Sequence, residues 1–145
     1  MQQRFEYPAK VEQDSAGFYL VTFSDFPEAA TDARSLNAAI LEANDCLEEA
    51  VAGRMKRGEP IPRPSSPNEG TVTITLSALY AMKAALYMAL REARLSQAAL
   101  AAKLGKDEKE VQRLLDPKHA SGISSIEAAL RAIGKRLQIV IENAE

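Results

Sequence analysis

The sequence predicts an α+β protein in two parts: a small sheet with one helix, then an all-helical domain closed by a terminal strand. Three observations predict it. Hydrophobic alternation of period two fills the start of the chain and returns twice later, helical periodicity fills most of the remainder, and a proline-rich stretch separates the two. The 145 residues, 46% of them hydrophobic, suffice for one ordinary domain or two small ones.

From Arg4 to Glu12, Phe5, Tyr7, Ala9 and Val11 alternate with charged residues, the pattern of a half-buried strand, with Pro8 pointing to an edge or a bulge. Asp14-Ser15-Ala16-Gly17 supplies turn chemistry, and the β-branched and aromatic run Phe18 to Phe23 completes a hairpin. A short third strand is expected over Ala29 to Ala33. Ser35 then caps a helix whose Leu36, Ile40, Ala43, Leu47, Ala50 and Val51 share one face, and which gives way between Gly53 and Gly58. Residues 1–58 thus form a first domain. Residues 59–70, with Pro60, Pro62, Pro64 and Pro67, read as a partly extended linker, and 71–145 as a second domain.

Thr71 to Leu76 alternates cleanly as a strand, and the sequence leaves open whether it returns to the first sheet or joins the second domain. A helix follows from Ser77 with Leu79, Met82, Leu86, Ala89 and Ala93 in one stripe. Shorter helices begin at Ser96 and Asp107, and a fourth covers roughly Ser124 to Ala132 before Gly134. Arg136 to Glu142 alternates again, as a strand that needs a partner, either its counterpart in a second copy or a strand of its own chain.

Charge divides with the elements. Residues 1–70 hold 7 Lys/Arg against 12 Asp/Glu, a net −5, and residues 71–145 hold 11 against 8, a net +3. An acidic and a basic half suit two different partners. No apolar run approaches the ~18 residues of a membrane span and the opening residues lack the core of a signal peptide, so a cytoplasmic protein without membrane partners is expected. The single cysteine, Cys46, has no ligand-spaced neighbours and reads as a small buried apolar side chain.

The segment from Gln97 to Leu114 carries the strongest local signal. Two helices crossing at a tight turn need a small residue at closest approach, Ala101, and a permissive turn residue, Gly105, with Leu100, Leu104, Val111 and Leu114 filling the wedge. This pattern resembles the helix-turn-helix of phage-repressor and Xre-type regulators. The resemblance implies that the helix after Asp107 enters the major groove of operator DNA. Lys109, Gln112 and Arg113 would then reach base edges, Gln97 a phosphate, and Lys106 and Lys118 would add sequence-independent attraction. Asp107, Glu108 and Glu110 oppose phosphates, so useful binding is expected only from a homodimer or higher homo-oligomer presenting two such helices about 34 Å apart. Asp107 is accounted for as a helix cap; Glu110 has no account at this level.

Gly17-Phe18-Tyr19-Leu20-Val21-Thr22-Phe23-Ser24-Asp25-Phe26-Pro27-Glu28, followed by Thr31-Asp32 and the helix from Ser35, resembles the signature of HicB antitoxins. The resemblance extends over the whole chain, through the proline-rich stretch and the helix-turn-helix to the final strand. It implies a degenerate ribonuclease-H-like sheet that binds a small mRNA-cleaving toxin, HicA, as one half of a type II toxin–antitoxin system that represses its own operon. Its catalytic histidine or its RNA-binding surface would be blocked. Asp14, Asp25, Glu28 and Asp32, with Phe26 as an apolar anchor, are the expected contacts; ordinary turn chemistry is the other reading of the carboxylates.

Catalysis is not expected. Glu12, Asp14, Asp25 and Asp32 lack the placement of a two-metal site, His119 is the sole histidine and lies far from Cys46, and no cofactor is implied. A stand-alone helix-turn-helix regulator with a ligand-sensing first domain is the alternative, and it predicts a small-molecule pocket.

Overall fold

A computed structural model describes residues 2–144. The chain divides into two compact units, Met1–Ala81 and Met82–Glu145. Because residues 71–81 carry no charge, the units keep the net charges −5 and +3 of the two halves of the sequence.

The first unit is a four-stranded antiparallel sheet backed by one helix. In chain order it holds β1 (Glu6–Gln13), β2 (Tyr19–Phe23), β3 (Ala30–Ala33), α1 (Leu36–Arg57) and β4 (Thr71–Thr75), with strand order β3-β2-β1-β4. The segment whose allegiance the sequence left open therefore returns to the first sheet, where Ile74 pairs with Tyr7 and Val72 with Ala9. The alternation explains the pairing: Tyr7, Ala9, Val21, Phe23 and Ile74 are all buried on the face that α1 covers. β1 is central, against the edge position that Pro8 suggested. Pairing with β2 begins only at Ala9, so at Pro8 the strand has a neighbour on the β4 side alone and is locally an edge.

Ser35 caps α1 as expected, its hydroxyl accepting from the Ala38 amide at 3.1 Å. The helix runs on past Gly53 to Arg57 rather than giving way, because Ala52 and Met55 bury its last turns, and it stops at Gly58 in a left-handed cap with φ of 71°. Leu36, expected on the buried face, is exposed, and Ala39 takes the inward place. Two side chains of α1 fix the exit of β4: Asn44 donates to the Thr75 carbonyl at 2.9 Å, and a Glu48 oxygen accepts from the Ser77 amide at 3.2 Å.

The proline-rich stretch does not behave as a linker. Ile61 is buried, the Tyr7 hydroxyl donates to the Pro62 carbonyl at 2.7 Å, and Asp25 accepts from the amide and hydroxyl of Ser65, each at 3.0 Å. It is a strap laid on the sheet unit. Prolines keep it extended, and its partners come from side chains because most of its own amides are missing.

α2 (Ala78–Ala93) leads into the second unit, where α3 (Gln97–Leu104), α4 (Glu108–Leu115) and α5 (Ile123–Ala132) follow. The buried stripe of α2 is Lys83, Ala84, Leu86, Ala89 and Leu90; it contains the expected Leu86 and Ala89, whereas Ala93 is exposed. A lysine in the stripe displaced the reading, since charge marks a position as outward. Residues 136–142, expected as a strand, form neither strand nor helix in this single chain, because a strand requires a second strand to bond to.

Candidate functional site

The first candidate surface lies on the sheet unit, and its five expected contacts fall at two ends. Asp14 closes the β1–β2 turn: one of its oxygens accepts from the amides of Ala16 and Phe18, both at 2.9 Å. Asp32 is exposed on β3, opposite Leu20, which in turn faces Glu12. These three form a row across the sheet, with Leu20 41% exposed between two carboxylates. Leu20 was missed because its run is apolar at every position, which hides which members face out.

Asp25, Phe26 and Glu28 sit at the other end, between β2 and β3. Phe26 is fully buried, in edge contact with the Tyr7 ring at 5.0 Å between centroids, so it presents no surface to a partner. The Arg54 guanidinium lies 4.8 Å over the Phe26 ring and binds both oxygens of Glu28, at 2.7 and 2.8 Å, while its third nitrogen reaches the Pro60 carbonyl at 3.2 Å. The forked hydrogen bonds hold the Glu28 carboxyl well below the usual carboxylate range, down to about 2. Burial, reinforced by the nearby Asp25 charge, pushes the Tyr7 phenol above its ordinary value. Cys46 is half-buried with its sulfur 3.7 Å from the Ala30 carbonyl, and burial raises its thiol as well. Among the described residues, no three His, Cys, Asp or Glu side chains come together to hold a metal ion.

The second candidate surface is built on α3 and α4. Ser96 caps α3 through the Ala99 amide at 3.0 Å, and Asp107 caps α4 through the Glu110 amide at 2.9 Å. Gly105 ends α3 with φ of 66°, a left-handed position that disfavours side chains, though space around it is open. Leu100, Ala101, Val111 and Leu114 are buried where the two helices meet, with Leu104 half-buried beside them. Gln97, Lys106, Lys109, Gln112, Arg113 and Lys118 are all exposed. Lys106, Arg113 and His119 line one groove of about 230 Å³ alongside Glu110 and Ser121. Glu110 also finds its explanation, since its carboxylate pairs with the Lys106 ammonium one turn away at 3.4 Å.

The residue that shapes this surface from within was not anticipated. Lys83 has no exposed surface, and its ammonium donates to the carbonyls of Arg113, Asp116 and His119 at 2.7, 2.6 and 2.6 Å and to the Ser121 hydroxyl at 2.9 Å. A single cation thereby gathers the carboxy-terminal end of α4 and the turn that follows, where the dipole of α4 favours positive charge. Burial lowers its pKa, and the neighbouring Asp116 opposes that shift. Only the rarity of charge inside an otherwise apolar stripe could have flagged it.

No helix among the described residues is long and apolar enough to cross a membrane. Residues 6–85 match the family model described as HicB_like antitoxin of bacterial toxin-antitoxin system. The whole chain is similar to Antitoxin HicB 2 of Photorhabdus laumondii, 35% identical over 140 residues that cover 97% of this chain and 99% of that protein. It is 33% identical to Antitoxin HicB of Escherichia coli K12 over 135 residues, 93% of this chain and 98% of the relative. Antitoxin HicB of Pseudomonas fluorescens is 31% identical over 141 residues, 97% of this chain and 96% of its own length. With the model spanning the sheet unit and the similarity running through the helical unit, the chain belongs to the HicB-like antitoxin family.

Proposed function

We propose that this chain is the antitoxin of a type II toxin–antitoxin system, acting in the cytoplasm by binding and without catalysis. The sheet unit holds a small mRNA-cleaving toxin of the HicA type, and the helical unit represses the operon by binding operator DNA. The observation that carries this reading is the full-length similarity to three HicB antitoxins, which extends through both units.

The charge division supports it. A protein that grips RNA is basic, so a unit at −5 draws it in over long range and competes with the phosphate backbone. The row Glu12, Leu20, Asp32 offers what such a partner needs, an apolar anchor flanked by carboxylates, with Asp14 at the adjoining turn and Glu28 and Asp25 at the far end. Phe26 contributes from beneath, as the platform for Arg54. In the helical unit, Lys109, Gln112 and Arg113 contact bases, while Gln97 and Lys118 contact phosphates. Lys106 adds less than a free lysine, because Glu110 already engages it.

The test is co-expression with the neighbouring short basic reading frame. Growth restored by this chain supports the reading, and continued arrest overturns it. For the second unit, gel shifts on the upstream DNA check the roles: Arg113→Ala relaxes sequence preference, whereas Lys118→Ala weakens all sequences alike and lowers the salt slope by about 1.

A further inference from the structure

Residues 136–142 are the one stretch of pronounced alternation that ends without a partner strand among the described residues. Ile139, Val140 and Ile141 are 71%, 69% and 92% exposed. Consecutive large aliphatic side chains left in water at this level mark a surface that another molecule covers. The sequence of the segment says which molecule.

We infer that residues 136–142 form an antiparallel two-stranded ribbon with the same residues of a second copy, centred on Ile139. Antiparallel pairing about a two-fold axis places residue i opposite the residue that mirrors it, and the mirror at Ile139 sets Arg136 against Glu142, Leu137 against Ile141, Gln138 against Val140 and Ile139 against itself. Each charge meets its opposite, and the inner apolar residues meet each other. Moving the centre by one residue loses this. A centre at 138 sets Glu142 against Gly134 and Arg136 against Val140, and a centre at 140 sets Glu142 against Gln138 and Arg136 against Ala144. The half-step registers are worse, opposing Arg136 to Ile141 or Glu142 to Leu137. Only one register is self-complementary.

The same register sorts the faces. Opposed residues point to the same side of a sheet, so Leu137, Ile139 and Ile141 of both copies make one face of six aliphatic side chains. Leu137 is already half-buried, which gives that face its start in the fold. Arg136, Gln138 and Glu142 keep the other face polar. The inference deepens the reading of a DNA-binding dimer, naming the segment and register that join the copies, and it rests on that reading only for its use, since the pairing stands on the sequence symmetry and the exposed residues.

The test is a charge swap read by sedimentation equilibrium of the full chain. Arg136→Glu alone and Glu142→Arg alone each set two like charges opposite one another in the dimer and weaken it by about tenfold or more. An equimolar mixture of the two variants, or the double variant Arg136→Glu/Glu142→Arg, recovers the original dimer. Amides of 137–141 are protected from hydrogen exchange in the dimer and lose protection on dilution. A monomeric parent protein, single variants that dimerise like the parent, or weakened single variants that neither mixing nor the double variant restores would each overturn the proposal. Circular dichroism confirms that the variants keep their helices. Growth rescue by the same variants is scored separately, so a failed ribbon leaves the antitoxin reading standing and a failed rescue leaves the ribbon standing.

Discussion

The sheet unit and the helical unit each use one inward-pointing polar side chain to tie down an irregular segment, and the two ties differ in kind. Tyr7 reaches from the middle of a strand to a single carbonyl of the strap and is otherwise an apolar ring among apolar rings. Lys83 is a buried cation whose partners all come from one turn. The sheet unit has long strands and a 22-residue helix to close its core, so its tie is an addition. α3 and α4, at eight residues each, are too short to stand without tertiary support, and there the tie is part of the frame.

The comparison breaks or sharpens with four substitutions. The largest effect is expected from Lys83→Met, which keeps the stem and leaves three carbonyls without their donor. Stability falls by about 3 kcal/mol, and hydrogen exchange shows the loss confined to Met82 onward; an equal loss of protection in the sheet would show that the units do not fail independently. Tyr7→Phe costs about 1 kcal/mol and exposes the Ser65 amide to exchange while the strands stay protected. Third comes acid. Because the Glu28 carboxyl is held lower in the folded protein than in the unfolded chain, its stabilisation is complete above about 4.5 and is lost as pH falls toward about 2. At a side chain 38% exposed, solvent screening keeps this to about 1 kcal/mol or less. Glu28→Gln removes that pH dependence in a urea titration repeated at several pH values, and an unchanged profile would refute the assignment. The smallest change is a gain: Arg94 ends α2 with φ of 53°, so Arg94→Gly raises the melting temperature of the helical unit, by at most about 1 kcal/mol in stability.

What the sequence made legible was local. Ser35, Ser96 and Asp107 announce their helices because a cap is a contact between residues three apart, and Gly105 announces its turn because only backbone conformation is at stake. What it hid was long-range or inverted. Four prolines read as a linker because composition records stiffness and says nothing of Ile61 finding the core. Phe26 read as an exposed anchor because it follows a turn, yet the turn folds it under Arg54. Lys83 read as surface for the same reason any lysine does. The destination of β4 was undecidable, since two strands 65 residues apart in register carry no local mark of each other, as Pro8 and Thr73 show. Among the expected contacts, the motif placed the correct turns in the chain but could not show that they lie at opposite ends of the sheet.

The order of the sheet, with β4 made last and lying beside β1, made first, has a consequence for synthesis. A nascent chain that has not yet delivered Thr71 to Thr75 has the hairpin, the helix and the strap but a bare flank on β1, with the backbone groups that belong to β4 still bonded to water. Premature termination anywhere before Thr71 therefore yields an open-sided product, and the acidic unit matures only when translation has already passed into the basic one.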